Sequence, residues 1–348
     1  MKKSMLWTLS FVISAVLCLA AFAAVMYVTD PLLQYGTESK LFSYYEYGEM
    51  YSNPGIAEHY EYDAVMVGTL MIENTDVDEC DELFGCNMVR LPYSGGTTYN
   101  MKTILDVCFR SDNNIKNVYW ELDEFQLLGS STEPRYPLPE YLYRDDCVKD
   151  ASYLLNIDIF YHYTMNNLLG TLKGQQQNAE RRGETLFGVF GKEAMLSTYQ
   201  RSEKQKQQTD ASKLIEKVDE NLDVNIIPLI EANPGTKFTF FFVPFSVLYW
   251  DKEVQNGTFD ITMDAVKHAI NRLLEYENVT IFFYHNETEI ITNLDNYKDY
   301  SHYSKEINSW MTQSMAEGHG LVTKENADEV VESMREFVHA YDFEALFK

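Results

Sequence analysis

An uncharged run of 23 residues, Leu6 to Val28, constrains this chain more than any other feature in it. At about 1.5 Å of rise per residue, a helix of that length spans the roughly 30 Å hydrocarbon core of a bilayer. Lys2 and Lys3 precede the run and Asp30 follows it, which predicts an N-terminus inside and the rest of the chain outside. Two readings fit residues 1–29. One is an uncleaved single-pass anchor in the cell membrane, with the C-terminal domain extracytoplasmic. The other is a signal peptide, because Ala21-Phe22-Ala23 has the small-x-small form of a cleavage site, and the protein would then be secreted. A lipoprotein signal fits poorly, since Leu17 stands before Cys18 where a small residue is needed. Either way, residues 30–348 are expected outside the cytoplasm.

The exported part has a globular composition: 45% of the chain is hydrophobic and 23% charged, unlike a disordered segment. The whole chain's 28 Lys+Arg against 53 Asp+Glu give a net charge of −25, so the basic footprint that a nucleic acid requires is missing. Cys80, Cys86, Cys108 and Cys147 lie beyond Cys18 of the apolar run, and four exported cysteines allow two disulfides in three connectivities or a set of buried thiols. Cys80 and Cys86 are near enough to pair around Gly85. Neither the cysteines nor the scattered histidines follow a metal-ligand spacing, so neither a metal nor a cofactor is expected.

Four short apolar runs read as strands covered on both faces: Ala64 to Val67, Val118 to Leu122, Lys237 to Pro244 and Val279 to His285. Helical patterns lie between them, at Thr97 to Phe109, Ala211 to Leu222 and Met263 to Tyr276, and an amphipathic helix closes the chain at Ala327 to Phe347. Strands alternating with helices predict an α/β fold, a three-layer αβα sandwich with a mainly parallel sheet. The aromatic stretch Asp30 to Asn53 reads as a juxtamembrane connection. Asp150 to Leu172 is helical and is followed by a polar break, Gln175 to Arg182, so about 140–210 is expected to be a helical insertion within one domain, 30–348.

Two segments carry a resemblance. Tyr62 to Asn74 (YDAVMVGTLMIEN) is a strand running into a glycine turn, and Asn296 to Ser304 (NYKDYSHYS) holds an Asp-x-x-His element, Asp299 to His302, after the last strand. Together with Phe242 to Trp250 (FVPFSVLYW), they resemble the SGNH/GDSL hydrolase superfamily, in its branch of membrane-anchored extracytoplasmic bacterial proteins. The resemblance implies a flavodoxin-like sheet with a Ser-His-Asp site at its carboxyl edge. On that pattern His302 is the general base and Asp299 holds its tautomer. Gly68 and Thr69 belong to the nucleophile turn, and Gly95-Gly96 matches the second glycine block. Backbone N–H groups at residue 70 and at a glycine turn would bind the oxyanion.

The departure lies at the nucleophile. The position that carries serine in the family is Leu70, which has no lone pair and no proton to give up. Thr69 is adjacent, but neighbours on such a turn point in different directions. The family's Gly-x-Asn-Asp element is replaced by Trp120-Glu121-Leu122-Asp123, in which Asp123 could act as an oxyanion donor only when protonated. Two functions follow as expectations. One is an esterase or O-acyltransferase site acting on acyl esters of cell-surface glycans, beside a membrane-bound O-acyltransferase, and impaired at Leu70. The other is a silent pseudoenzyme that serves as a binding or assembly partner in the same surface-polysaccharide chemistry. The high aromatic content, 14%, suits a glycan-stacking groove or plain core packing.

Overall fold

The computed structural model describes residues 2–39, 41–44, 48–175, 188–205 and 210–348. Tyr45 to Tyr47 of the juxtamembrane stretch and nearly all of the polar break at 175–182 lie outside them. The chain divides into two compact units: Met1–Tyr60 with Arg110–Asp112 and Leu138–Arg181, and Glu61–Phe109 with Asn113–Pro137 and Arg182–Lys348. The segment expected as one insertion, about 140–210, is thus shared between the two.

In the first unit, a helix at Lys2–Thr29 is long and apolar enough over Lys3–Thr29 to cross a membrane, and it is almost entirely uncovered by protein. It stops at Asp30, whose φ of 32° breaks the helical path. The Asp30 carboxylate then accepts hydrogen bonds from Gln34 N (2.8 Å), Tyr35 N (2.9 Å) and the Tyr153 hydroxyl (2.8 Å). These bonds tie the turn to the helix Cys147–Leu154. Helices at Glu49–His59 and Met165–Leu172 complete the unit, the latter continuing a π-helical turn at Phe160–Thr164. Within Glu49–His59, Gly55 lies against the carbonyls of Leu32 and Leu33, where a Cβ has no room.

The second unit holds a six-stranded sheet: β1 (Ala64–Gly68), β2 (Met88–Pro92), β3 (Asn117–Glu121), β4 (Lys237–Phe242), β5 (Val279–Phe283) and β6 (Leu321–Val322). Their order is β2-β1-β3-β4-β5-β6, parallel except for the β5–β6 pair. The four strands expected from the sequence form the middle of this sheet and its two outer strands were not anticipated. Both β1 and β2 are buried at all five positions, as strands covered on two faces must be. The helices Val77–Phe84 and Lys305–Glu317 pack on one another, while Ala211–Asn221, Phe259–Leu273 and Ala327–Ala340 form a second group. The chain leaves β1 toward β2 and returns to β3 on the other side of β1. Such a reversal opens a crevice at the carboxyl ends of the strands, the usual ligand position in open α/β sheets.

The cysteines are thiols. Cys80 Sγ is buried 3.8 Å from Thr312 Oγ1, and burial pushes this thiol up to about 12. Cys86 turns its sulfur to the Cys80 carbonyl (3.9 Å) and to Asp81 Oδ1 (3.7 Å). Proximity in sequence has therefore not brought these two sulfurs into a disulfide.

Candidate active site

The crevice at the β1/β3 reversal is a cleft of about 490 Å³. Thr69, Leu70, Gly95, Asp123 and His302 all line it, so five of the residues singled out in the sequence converge there. A short helical turn, Leu70–Ile72, follows β1 directly and presents Leu70 to the cleft. This turn is fastened from the opposite side. Met71 O accepts from the Tyr303 hydroxyl (2.9 Å) and from Asn308 Nδ2 (3.0 Å), which also reaches Thr75 Oγ1 (3.0 Å). Leu70 and His302 also share a second, smaller recess with Tyr303 and Asn308.

His302 sits on a tight hairpin closed by the Tyr297–Tyr303 bridge and by Lys298 N donating to His302 O (3.0 Å). Two further bonds hold that hairpin to the loop after β4: the Tyr297 hydroxyl donates to Pro244 O (2.7 Å), and Ser246 Oγ donates to Tyr300 O (2.7 Å). Asp299 stands behind the imidazole, with Oδ2 2.8 Å from His302 Nδ1. Its Oδ1 accepts from the backbone N–H of Ser301 (3.0 Å) and of His302 (2.9 Å). Burial alone would raise this carboxyl, but the imidazole and the two amides outweigh it and hold Asp299 well below the usual carboxylate value. With Nδ1 directed at a carboxylate, Nε2 is the nitrogen left for chemistry.

Thr69 is engaged by Glu121. Its hydroxyl donates to Glu121 Oε2 (3.0 Å), and its N–H donates to the same oxygen (2.7 Å). Glu121, at the end of β3, is fully buried, and a Cβ on Gly68 would meet its Cβ at 2.7 Å, so Gly68 serves this close approach. Gly96 is similarly closed in by Met101 and Tyr93, and its N–H already donates to Tyr93 O (3.0 Å). Neither Gly68 nor Gly96 lines the cleft. By contrast, among the described residues neither the Leu70 nor the Gly95 N–H has a partner, which leaves two amides for an anionic oxygen.

Asp123 caps the short helix Glu124–Leu127 by accepting from Gln126 N (2.7 Å). Burial, then the neighbouring Glu121 and Glu124, push it well above the usual carboxylate value. In its protonated form, which this shift favours, Asp123 can donate a hydrogen bond. Burial likewise lifts Glu121, to about 7, against the opposing bonds from Thr69. Deeper still, His285 is fully buried, with Nδ1 2.6 Å from Val243 O and Nε2 3.5 Å from Glu124 Oε2. That last separation is long for a hydrogen bond.

The sequence reading missed Arg135, Tyr249 and Lys252, which line the cleft from segments far apart in the chain. Among the described residues, no group of three His, Cys, Asp or Glu is placed to hold a metal ion.

No protein-family model matches the chain, and no curated protein matches it. Its structure is similar to that of a protein described as a "putative platelet activating factor from Streptococcus pneumonia", at 10% identity and a TM-score of 0.39, over 77% of this chain and 88% of that one.

Proposed function

We propose that this protein is a membrane-anchored, extracytoplasmic relative of the SGNH hydrolases whose cleft binds acylated cell-surface glycan but forms no acyl-enzyme. The observation that carries the reading is Leu70 facing the same cleft as His302, with Asp299 on the far nitrogen of that imidazole. The acid–base pair, two unengaged amides and an Asp123 whose protonated form is favoured together suit an ester carbonyl. What is missing is the atom that attacks it. The N-terminal helix would tether the chain to a membrane, where a membrane-bound O-acyltransferase is the natural partner for such chemistry.

The retained His302–Asp299 pair favours a second reading, in which His302 Nε2 draws a proton from water and hydrolyses the ester without a covalent step. Hydrolysis of an aryl acetate by the full chain in nonionic detergent separates the two. The binding reading predicts no turnover above buffer for the natural chain and turnover on Leu70→Ser. Turnover by the natural chain that vanishes on His302→Ala would replace it with the direct-hydrolysis reading.

A further inference from the structure

Two cations face the cleft in a chain that is otherwise strongly acidic. The Arg135 guanidinium lies 5.1 Å from the ring centre of Phe125 and 5.4 Å from that of Tyr136, held by cation–π contacts. It also crosses Gly95: a Cβ there would come within 3.3 Å of Arg135 Cδ. Lys252, on the helix Val247–Asn256, places its ammonium 4.6 Å from the ring centre of Tyr300 and 3.4 Å from that ring's hydroxyl. Among the described residues neither cation forms an ion pair, whereas Arg201, Arg272 and Arg335 each meet one or more carboxylates. Of the two carboxyls that line the cleft, Asp123 is pushed upward by burial, and Glu253 is raised by burial while engaged by Thr258 Oγ1 (2.7 Å).

Three further aromatic rings line the same cleft. Phe245 and Tyr249 stack at 4.3 Å between ring centres, and Tyr249 and Tyr300 at 6.1 Å. Aromatic faces of this kind pack against the apolar side of a sugar ring, while cations kept on aromatic rings retain their charge for an anion.

From this arrangement we infer that the cleft takes an anionic glycan, a sugar bearing phosphate or carboxylate, whose charge is met by Arg135 and Lys252 while its ring lies over Tyr249 and Tyr300. The inference rests on the glycan reading above and names the charge of the ligand. Neutral sugars lack the group that the two cations need, so they are rejected by the unmet charges rather than by shape.

The test is calorimetric titration of the full chain in a sugar-free nonionic detergent with N-acetylglucosamine 1-phosphate, with trigalacturonate and with maltotriose. The two anionic probes distinguish phosphate from carboxylate recognition. At least one of them is expected to bind, with an affinity that falls as salt rises, and maltotriose is expected to bind at least about tenfold more weakly, the ratio that one charge-assisted hydrogen bond supplies. Arg135→Gln and Lys252→Met are each expected to weaken the anionic probe about tenfold or more, whereas Lys267→Ala, a surface lysine on the helix Phe259–Leu273, leaves it unchanged. Equal binding of maltotriose and the anions, or salt-independent binding by the natural chain, overturns the inference. So does undiminished affinity in both cleft variants. Aryl acetate turnover by Leu70→Ser involves no charge on the substrate, so it stands or falls separately and shows which of the two readings has failed.

Discussion

Replacing Glu121 by glutamine should stabilise the protein more at alkaline than at acid pH. Glu121 is fully buried at the end of β3, and burial raises its carboxyl from an ordinary 4.5 to about 7. The unfolded chain releases this proton near 4.5, while the folded chain keeps it until about 7. Between those values the unfolded state binds fewer protons, so stability is highest below 4.5 and falls as pH rises through 7. At about 1.4 kcal/mol per pH unit, the loss amounts to about 3 kcal/mol, shared with the neighbouring Asp123 and Glu124. Glutamine does not titrate. Its amide oxygen can still accept from Thr69 N and Oγ1, but its NH₂ would occupy the place of Oε1, which is buried without a partner. That mismatch costs about 1–3 kcal/mol at every pH. Thermal melting of the full chain in detergent, scanned from pH 4.5 to 8, separates the constant offset from the pH-dependent gain. The melting temperature of the variant relative to the natural chain should climb by several degrees across the scan, at roughly 2 °C per kcal/mol. A difference that stays flat over the range would refute the raised carboxyl and the account of the site built on it.

Three further outcomes follow from the geometry. Asp299→Ala should destabilise at neutral pH, and the deficit should shrink as pH falls below the ordinary carboxylate value of 3.8, because the lowered Asp299 stabilises the fold only while ionised; a melting scan extended below pH 3.8 reads this. Gly95→Ala places a side chain at φ 58° and within 3.4 Å of Arg135 and Tyr136, which should cost about 1 kcal/mol or more in melting and displace the guanidinium, weakening the anionic probe. Gly55→Ala drives a Cβ into the carbonyls of Leu32 and Leu33, with an expected loss of about 1–3 kcal/mol and faster proteolysis within Met1–Tyr60.

The central strands were legible because each is a short apolar run between helical patterns, the signature of a sheet covered on both sides. β2 escaped because its five residues include Arg90 and Pro92; Arg90 is nonetheless buried, its guanidinium reaching Thr75 O. β6 escaped because two residues carry no period. The Asp299–His302 pair was legible from the Asp-x-x-His element taken with its place after the last strand and the glycine turn after the first, and a tight hairpin brings carboxylate and imidazole together. Arg135 and Lys252 were not, because residues more than a hundred positions apart meet only once the sheet reverses between β1 and β3. The division into two units was hidden for the same reason: Leu138–Arg181 joins Met1–Tyr60 through contacts such as Tyr153 with Asp30, which no local pattern announces.

The central claim is that the imidazole–carboxylate pair is in place and that Leu70 alone withholds covalent chemistry. A fluorophosphonate, which bonds only to an activated hydroxyl, tests it most directly when labelling is read by intact mass and peptide mapping. The natural chain should remain unlabelled, Leu70→Ser should take up one phosphonyl group at residue 70, and adding His302→Ala should abolish that labelling. Labelling of the natural chain, or an inert Leu70→Ser, would contradict the account.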